Sequence, residues 1–274
     1  MTTSTSNASV AVSPQGSAAT ERGAPPLDRR AQASAQKTGG VPARTLWSRF
    51  IILVLCLAVV LSTLAFGTVH TWSLAVFQLG AGVVVALWMV DAWRSRALRF
   101  SRNFLQWPLV GLLLVGLVQL LPLGGAADLP AGAPRTISFD PYATRLVIIQ
   151  LLSLIVYFAA ALAFIDTPKR LRLIVRTLVI FSFLLALFAL MQSFVSPNSI
   201  YWIREPKQAQ PFGPFINRHH FAAYMEMALA LPLGLLFAGA VERDRVPLYA
   251  FAALLMAIAL TMTNSRGGLL SLAA

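Results

Sequence analysis

The chain has 274 residues, of which 57% are hydrophobic and only 12% are charged, and its formal net charge is +12. A soluble globular domain is about 45–50% apolar and about 25% charged, so this composition excludes an ordinary soluble domain. The apolar residues fall in blocks without strand-like alternation, which predicts an all-α polytopic transmembrane helical bundle and argues against a β-barrel.

The first segment, residues 1–46, is rich in Ser, Thr, Ala, Gly and Pro and shows no apolar periodicity. Such a composition cannot bury enough apolar surface to fold, so we expect a disordered cytoplasmic tail. The first apolar stretch begins too late in the chain for a cleavable signal peptide. Residues 47–274 are expected to form the transmembrane helical domain.

Seven apolar segments follow, each close to the ~20 residues that cross a ~30 Å hydrocarbon layer. The predicted spans are Phe50–Phe66, Ser73–Val90, Trp107–Leu123, Leu146–Ile165, Leu173–Val195, Phe221–Ala240 and Pro247–Met262. An eighth segment begins after Arg266 and is too short to cross a bilayer, so we expect the sequence to be the N-terminal part of a longer protein. The single cysteine, Cys56, lies inside the first span and is expected to pack in the core.

The Lys and Arg residues are divided unequally between the two sides of the predicted bundle. The tail and alternate connections carry 16 of them, and the remaining connections carry six. The positive-inside rule therefore places the N-terminus and the richer side in the cytoplasm. In a soluble protein this positive charge would indicate nucleic acid, but here it is explained by topology and no nucleic-acid partner is expected.

Three arginines of the poorer side stand at or just before the start of a predicted span: Arg145, Arg218 and Arg266. A guanidinium group presents a planar fork of donors that matches phosphate oxygens. Because all three are expected at the same outer interface, they predict a site for a lipid-linked phosphate or pyrophosphate. For any one arginine, the alternative is an interfacial anchor whose stem lies along lipid.

The segment Pro211–Met227 places polar and ionisable residues at the start of an apolar span, where such groups are costly. Asn217 is expected to be the N-cap of this helix. Asn217, His220 and Tyr224 then fall on one face by their i, i+3, i+7 spacing. A histidine here is a candidate general base, and the alternative is a hydrogen-bonding histidine at the headgroup level.

His219 and Glu226 share a second stripe of the same predicted helix. Glu226 lies inside the apolar run and is expected to face protein and to have a partner. The candidate partners are Arg218, Arg266 and His219. Ser265 offers a hydroxyl beside Arg266. No metal site is expected, because two adjacent histidines point in different directions and no further ligands complete a set.

Three motifs in this order along the chain resemble the O-antigen ligase and polymerase family of bacterial inner-membrane glycosyltransferases. The segment GPFINRHHFA (213–222) resembles the signature G-x-F-x-N-x-N-x-x-A, with His219 where the family usually has a second Asn. The later TMTNSRGGLL (261–270) resembles the T-x-S-R-G segment of the family. The earlier ISFDPYATRL (137–146) resembles a stretch of relatives linked to exopolysaccharide polymerisation.

The resemblance implies an enzyme of lipopolysaccharide or exopolysaccharide biosynthesis that needs no nucleotide sugar, metal or other cofactor. It would transfer glycan from an undecaprenyl-diphosphate carrier at the periplasmic face. The acceptor would be lipid A-core for a ligase or another carrier-linked repeat for a polymerase, and the segment 137–146 favours a polymerase. The implied role of Arg145, Arg218 and Arg266 is to bind the donor pyrophosphate as it leaves. The catalytic histidine is expected beyond residue 274, so this chain alone is expected to be inactive.

Two other functions remain open from the sequence: a transporter or flippase of lipid-linked oligosaccharide, and a non-catalytic membrane subunit of polysaccharide export. A transporter typically shows ionisable groups near the bilayer midplane and an internally repeated architecture. Here Glu226 is the one candidate at such depth, and no repeat is visible. These observations favour the glycosyltransferase over the transporter.

Overall fold

A computed structural model of the chain describes residues 45–123, 136–207 and 209–273, and this part contains helices and no β-strand. The predicted disordered tail lies outside the described residues except for its last two positions. The α-helices of the described ranges are α1 Leu46–Leu64, α2 Thr71–Ser95, α3 Trp107–Gln119, α4 Pro141–Phe164, α5 Pro168–Val195, α6 Arg218–Phe237, α7 Val246–Met262 and α8 Arg266–Ala273. The 3-10 turns are Phe66–Thr68, Phe104–Gln106 and Arg243–Arg245.

Six of these helices (α1, α2, α4, α5, α6 and α7) are long and apolar enough to cross a membrane. The span of α7 includes the 3-10 turn that precedes it, and the mean hydropathy of the six spans lies between 1.4 and 2.6. Only 17–33% of each span is buried within the protein. So much exposed apolar surface requires lipid around it. The chain is therefore a multi-pass membrane protein, which confirms the predicted all-α bundle.

The third predicted span, Trp107–Leu123, forms a shorter helix than expected, because α3 ends at Gln119. Together with the 3-10 turn Phe104–Gln106, the helical run extends over about 25 Å. The Ser138 N–H donates to the carbonyl of Gln119 at 3.0 Å, so the C-terminal end of α3 lies beside the segment that leads into α4. The eighth apolar piece forms the short helix α8.

The spans pack in two groups, each with its own apolar core. In the first group α2 and α4 pack on each other and on α1, with α3 against α4, around a core of Ile51, Ile52, Val84, Ala160 and Phe164. In the second group α5, α6 and α7 pack together and α8 lies on α6 and α7. Buried alanines such as Ala186, Ala189 and Ala259 let the helices of this group approach closely. Packing of α1 on α5 joins the two groups.

Contacts between distant residues assign the helix ends to two sides. At the side called here the loop end, the Tyr201 hydroxyl donates to the carbonyl of Leu64 at 2.6 Å and Arg204 Nη1 contacts His70 Nε2 at 2.9 Å. The opposite side, called the basic end, gathers the start of α1, the end of α2 and the α4–α5 connection. The α6–α7 connection belongs to it too, because Glu242 and Arg172 line one cavity there.

A cluster of ion pairs fastens the basic end. Asp91 is fully buried on α2, and its carboxylate lies 3.5 Å from Arg99 Nε. Arg99 also contacts Asp166 at 3.5 Å, and Asp166 pairs with Arg170 at 3.0 Å. Arg170 donates to the Ser48 hydroxyl of α1 at 2.6 Å. The cluster therefore links α1 and α2 to the α2–α3 connection and to the α4–α5 connection. Most of the side chains involved are shielded from water.

We expect Arg99→Gln to lower the free energy of unfolding by about 3 kcal/mol, because the substitution leaves the buried Asp91 carboxylate without its ion pair. The measurement is SDS-induced unfolding of the purified protein in mixed micelles. Adding Asp91→Asn to Arg99→Gln should cost less than the sum of the single losses, since the unpaired charge is then removed. Arg94→Gln, at an exposed position of α2, is the control; additive losses in the double variant would contradict the role of this pair.

Candidate functional site

The connection between α5 and α6, residues 196–217, is fastened to α5 by the buried side chain of Gln192. Its Nε2 donates to the carbonyls of Ser199 at 2.7 Å and Gly213 at 3.1 Å, and its Oε1 accepts from the Tyr201 N–H at 3.1 Å. Only 2% of Gln192 is exposed. One amide thus satisfies three backbone groups of the connection, which would otherwise lack partners at this depth.

A tight turn follows, and it sets the direction in which the chain enters α6. Phe212 and Phe215 exchange backbone hydrogen bonds of 3.1 and 3.2 Å around the dipeptide between them. Gly213 in that dipeptide has φ +56°, and a Cβ atom there would stand 2.9 Å from Ala189 Cβ. Only glycine fits this backbone conformation and this close approach to α5. Pro214 is fully buried beside it.

Helix α6 begins at Arg218, and Asn217 is its N-cap, as predicted. The Asn217 Oδ1 atom accepts from the His219 N–H at 2.9 Å. The Arg218 N–H donates to the carbonyl of Gln210 at 2.9 Å, so the first residue of the helix is also tied to the turn before it. This arrangement fixes the backbone positions of Arg218 and His219 at the loop end.

The start of α8 is built in a similar way from the TMTNSRG segment. The Thr263 hydroxyl donates to the carbonyl of Leu260 at 2.6 Å and accepts from the Ser265 N–H at 3.2 Å. The Ser265 hydroxyl accepts from the Gly268 N–H at 3.4 Å, which is the pattern of a helix N-cap. Ser265 is buried. Arg266 is the first residue of α8, and its side chain is exposed.

One side-chain contact joins these two helix starts. His219 Nδ1 lies 3.0 Å from Ser265 Oγ, although the residues are 46 positions apart. Arg218 and Arg266 are therefore each one residue away from a direct contact between the N-terminus of α6 and the N-terminus of α8.

Glu226 lies two turns into α6 and faces the start of α8. A Cβ atom at Gly268 would stand 3.0 Å from Glu226 Oε1 and 3.2 Å from Ala222 Cβ, so glycine at this position gives the carboxylate its space. Within the described part of the chain, Glu226 forms no ion pair with its three candidate partners. The negative charge of Glu226 is instead stabilised by the N-terminal end of α8, which carries the positive end of the helix dipole.

The other two candidates on α6 have different surroundings. His220 is exposed, and its ring forms no hydrogen bond to a described residue. Tyr224 is half-buried, and its hydroxyl lies 2.9 Å from the Ser182 hydroxyl of α5. Tyr224 therefore faces the interior of the bundle and helps to fix α6 on α5.

Arg145 is the candidate that the structure does not bring to this junction. It is exposed at the fifth position of α4, a helix that packs against α1, α2 and α3 rather than against α6 or α8. The segment before it serves as a helix cap: Asp140 Oδ1 accepts from the Ala143 N–H at 3.0 Å, and Pro141 follows at the first helical position. This capping accounts for the Asp and Pro of that motif without a ligand.

The junction between α6 and α8 carries positive charge. The N-termini of α6 and α8 lie together there, the first residue of each helix is an arginine, and Glu226 is a nearby acidic residue. Arg218 and Arg266 form no ion pair with any described acidic side chain, so their donors remain open to an anion. Among the described residues, no group of three or more His, Cys, Asp or Glu side chains is placed to hold a metal.

Gln192 and Ser182 are positioning residues that the sequence analysis missed. A glutamine near the end of the largely apolar segment Leu173–Val195 is the signal that could have indicated one of them. Comparison of the chain with protein-family models, with curated proteins and with solved structures finds no match in any of the three.

We expect Gln192→Met to lower the free energy of unfolding by about 2 kcal/mol, because three backbone groups of the α5–α6 connection lose their partner. The same variant should expose residues 196–217 to limited proteolysis before the spans unfold. Ser193→Ala is the matched control, since its hydroxyl donates within its own helix to the carbonyl of Leu190. Unchanged proteolysis of the connection would show that Gln192 does not hold it.

We expect a short bis-methanethiosulfonate linker to join His219→Cys to Ser265→Cys in a Cys56→Ala background, because the native side chains are in contact. A linker is preferable to direct oxidation, since a disulfide requires a closer backbone approach than this contact guarantees. The measurement is mass spectrometry of the linked peptides. The control pair, Arg145→Cys with Ser265→Cys, should not link, and linking of both pairs alike would contradict this geometry.

Proposed function

We propose that the chain carries the donor site of a membrane glycosyltransferase of the O-antigen ligase and polymerase type. Arg218 and Arg266 would bind the pyrophosphate of an undecaprenyl-diphosphate-linked glycan. The observation that best supports this is the contact between His219 and Ser265, because it brings two arginine-bearing helix N-termini together. Such a region offers backbone N–H groups, helix dipoles and guanidinium donors to the same anion.

The proposed reaction explains how positive groups held at this position would favour glycosyl transfer. Glycosyl transfer breaks the bond between the anomeric carbon of the glycan and an oxygen of the pyrophosphate, while the acceptor hydroxyl forms the new bond and gives up its proton. Negative charge therefore grows on the departing pyrophosphate. Cations held in place before the reaction stabilise this growing charge without reorganisation, which lowers the barrier.

The proposal uses two of the three arginines that the resemblance implied. Arg145 belongs to another helix group, and the motif around it caps α4. We therefore assign the pyrophosphate to Arg218 and Arg266, with His219 and Ser265 as the positioning pair. The proposed acceptor is another carrier-linked repeat, which makes the enzyme an exopolysaccharide polymerase rather than a ligase that acts on lipid A-core.

The proposed location follows from the distribution of basic residues. We assign the protein to the bacterial inner membrane, with the basic end and the N-terminus in the cytoplasm and the loop end in the periplasm. The donor junction would then lie at the outer interface, where the pyrophosphate of a translocated carrier lipid also lies. The depth of the site and the depth of the ligand therefore agree.

Binding of undecaprenyl diphosphate to the purified chain in nanodiscs tests the donor site. We expect Arg218→Ala and Arg266→Ala each to weaken binding by about 10- to 100-fold, as for the loss of a charge-assisted hydrogen bond. Lys207→Ala is the matched control, because it removes one exposed positive charge from the α5–α6 connection at the same end of the bundle. Equal weakening by Lys207→Ala, or no change in either arginine variant, would refute the proposed site.

Transfer and transport can be separated in cells that make the polymer. With Arg218→Ala, a transferase defect would stop polymer formation while the carrier-linked repeat accumulates on the periplasmic side, accessible to a lectin in intact spheroplasts. A flippase defect would instead leave the repeat inaccessible until the membrane is permeabilised. The second result would reject glycosyl transfer in favour of transport.

A further inference from the structure

Two adjoining cavities form one groove between α5 and α7 at the basic end, away from the proposed donor junction. The deeper cavity, of about 390 Å³, has mainly apolar walls that include Ile180, Phe183 and Leu184. The shallower one, of about 330 Å³, lies toward the helix ends. The two cavities share Arg176, Arg245 and Tyr249 as lining residues, so arginines stand where the apolar part meets the surface.

The mouth of this groove is positively charged. Arg172, Arg176 and Arg245 line it and are exposed. Arg245 uses its Nε atom for a 3.1 Å contact with Glu242, which leaves its terminal nitrogens free for another acceptor. Arg172 and Arg176 form no ion pair with a described acidic side chain. The mouth of the groove therefore has three guanidinium groups and one carboxylate, which gives it a net positive charge.

The length of the groove agrees with one leaflet of a bilayer. Its lining residues on α5 extend from Leu171 to Leu184, and this stretch of helix rises about 20 Å. Half of a ~30 Å hydrocarbon layer is about 15 Å. The apolar part of the groove therefore lies at acyl-chain depth, and its arginines lie at the depth of the lipid phosphates.

We propose that this groove binds an anionic phospholipid, whose phosphate contacts Arg176 and Arg245 while one acyl chain lies along α5 and α7. Charge complementarity selects this occupant, because the mouth is positive and the walls below it are apolar. Basic pockets between transmembrane helices are known to hold acidic headgroups in this way. The site is independent of the proposed donor junction, since it lies at the other end of the bundle.

Native mass spectrometry of the purified chain in mild detergent, titrated with phosphatidylglycerol or phosphatidylcholine, tests the headgroup contact. We expect phosphatidylglycerol to bind more tightly, and Arg176→Gln and Arg245→Gln each to weaken its binding about fivefold. Arg243→Gln is the matched control, because it removes the same charge from the same 3-10 turn without lining the groove. Equal weakening by Arg243→Gln, or equal binding of the two lipids, would overturn the proposal.

A second pair of variants tests the acyl-chain contact. Ile180 is 48% exposed in the groove wall, so Ile180→Trp should fill the groove without straining the core, and we expect the bound phosphatidylglycerol to be lost. Leu254 is 59% exposed on α7 and does not line the groove, so Leu254→Trp should leave binding unchanged. Retention of the lipid in Ile180→Trp would show that it does not occupy the groove.

Discussion

The position of the candidate site depends on the side-chain amide of Gln192. A bilayer supplies no water to unpaired backbone groups, so a chain that leaves a helix near the membrane must find partners for its N–H and C=O groups within the protein. Gln192 provides three of these partners to the connection that follows α5. Because the same amide holds Gly213, it also fixes the turn from which α6 begins, and thereby the place of Arg218 and His219.

The composition and length of the apolar segments were sufficient to predict most of the fold. Six of the seven predicted spans correspond to the long apolar helices, because a span is encoded locally by composition and length. Asn217 was recognisable as a cap, since capping also depends on neighbours in sequence. The early end of α3 was not predicted, because the span was drawn by hydropathy through Leu123, although Pro122 lacks a backbone N–H and disfavours helix in the residue before it.

The candidate site was less predictable, because it is made by contacts between residues far apart in the chain. Arg145 and Arg218 have similar positions at the start of apolar helices, and nothing in the sequence indicated that their helices belong to different packing groups. The link between His219 and Ser265 joins two motifs that were each visible, but their contact is a tertiary fact. Likewise, Glu226 was expected to pair with a cation, whereas the structure places it against the start of α8.

The arginines at the two ends of the bundle have different partners and surroundings, and this difference argues for two separate anion sites. At the basic end, Arg99 and Arg170 are neutralised by Asp91 and Asp166 and hold helices together. Arg172 and Arg176 at the same end form no ion pair with a described acidic side chain and line an apolar groove, whereas Arg218 and Arg266 at the loop end begin helices whose dipoles add to their charge. Helix α5 connects the two regions, with Arg176 at one and Gln192 at the other, about 24 Å apart along the axis. One phosphate cannot reach both, so the two proposed sites require two separate headgroups.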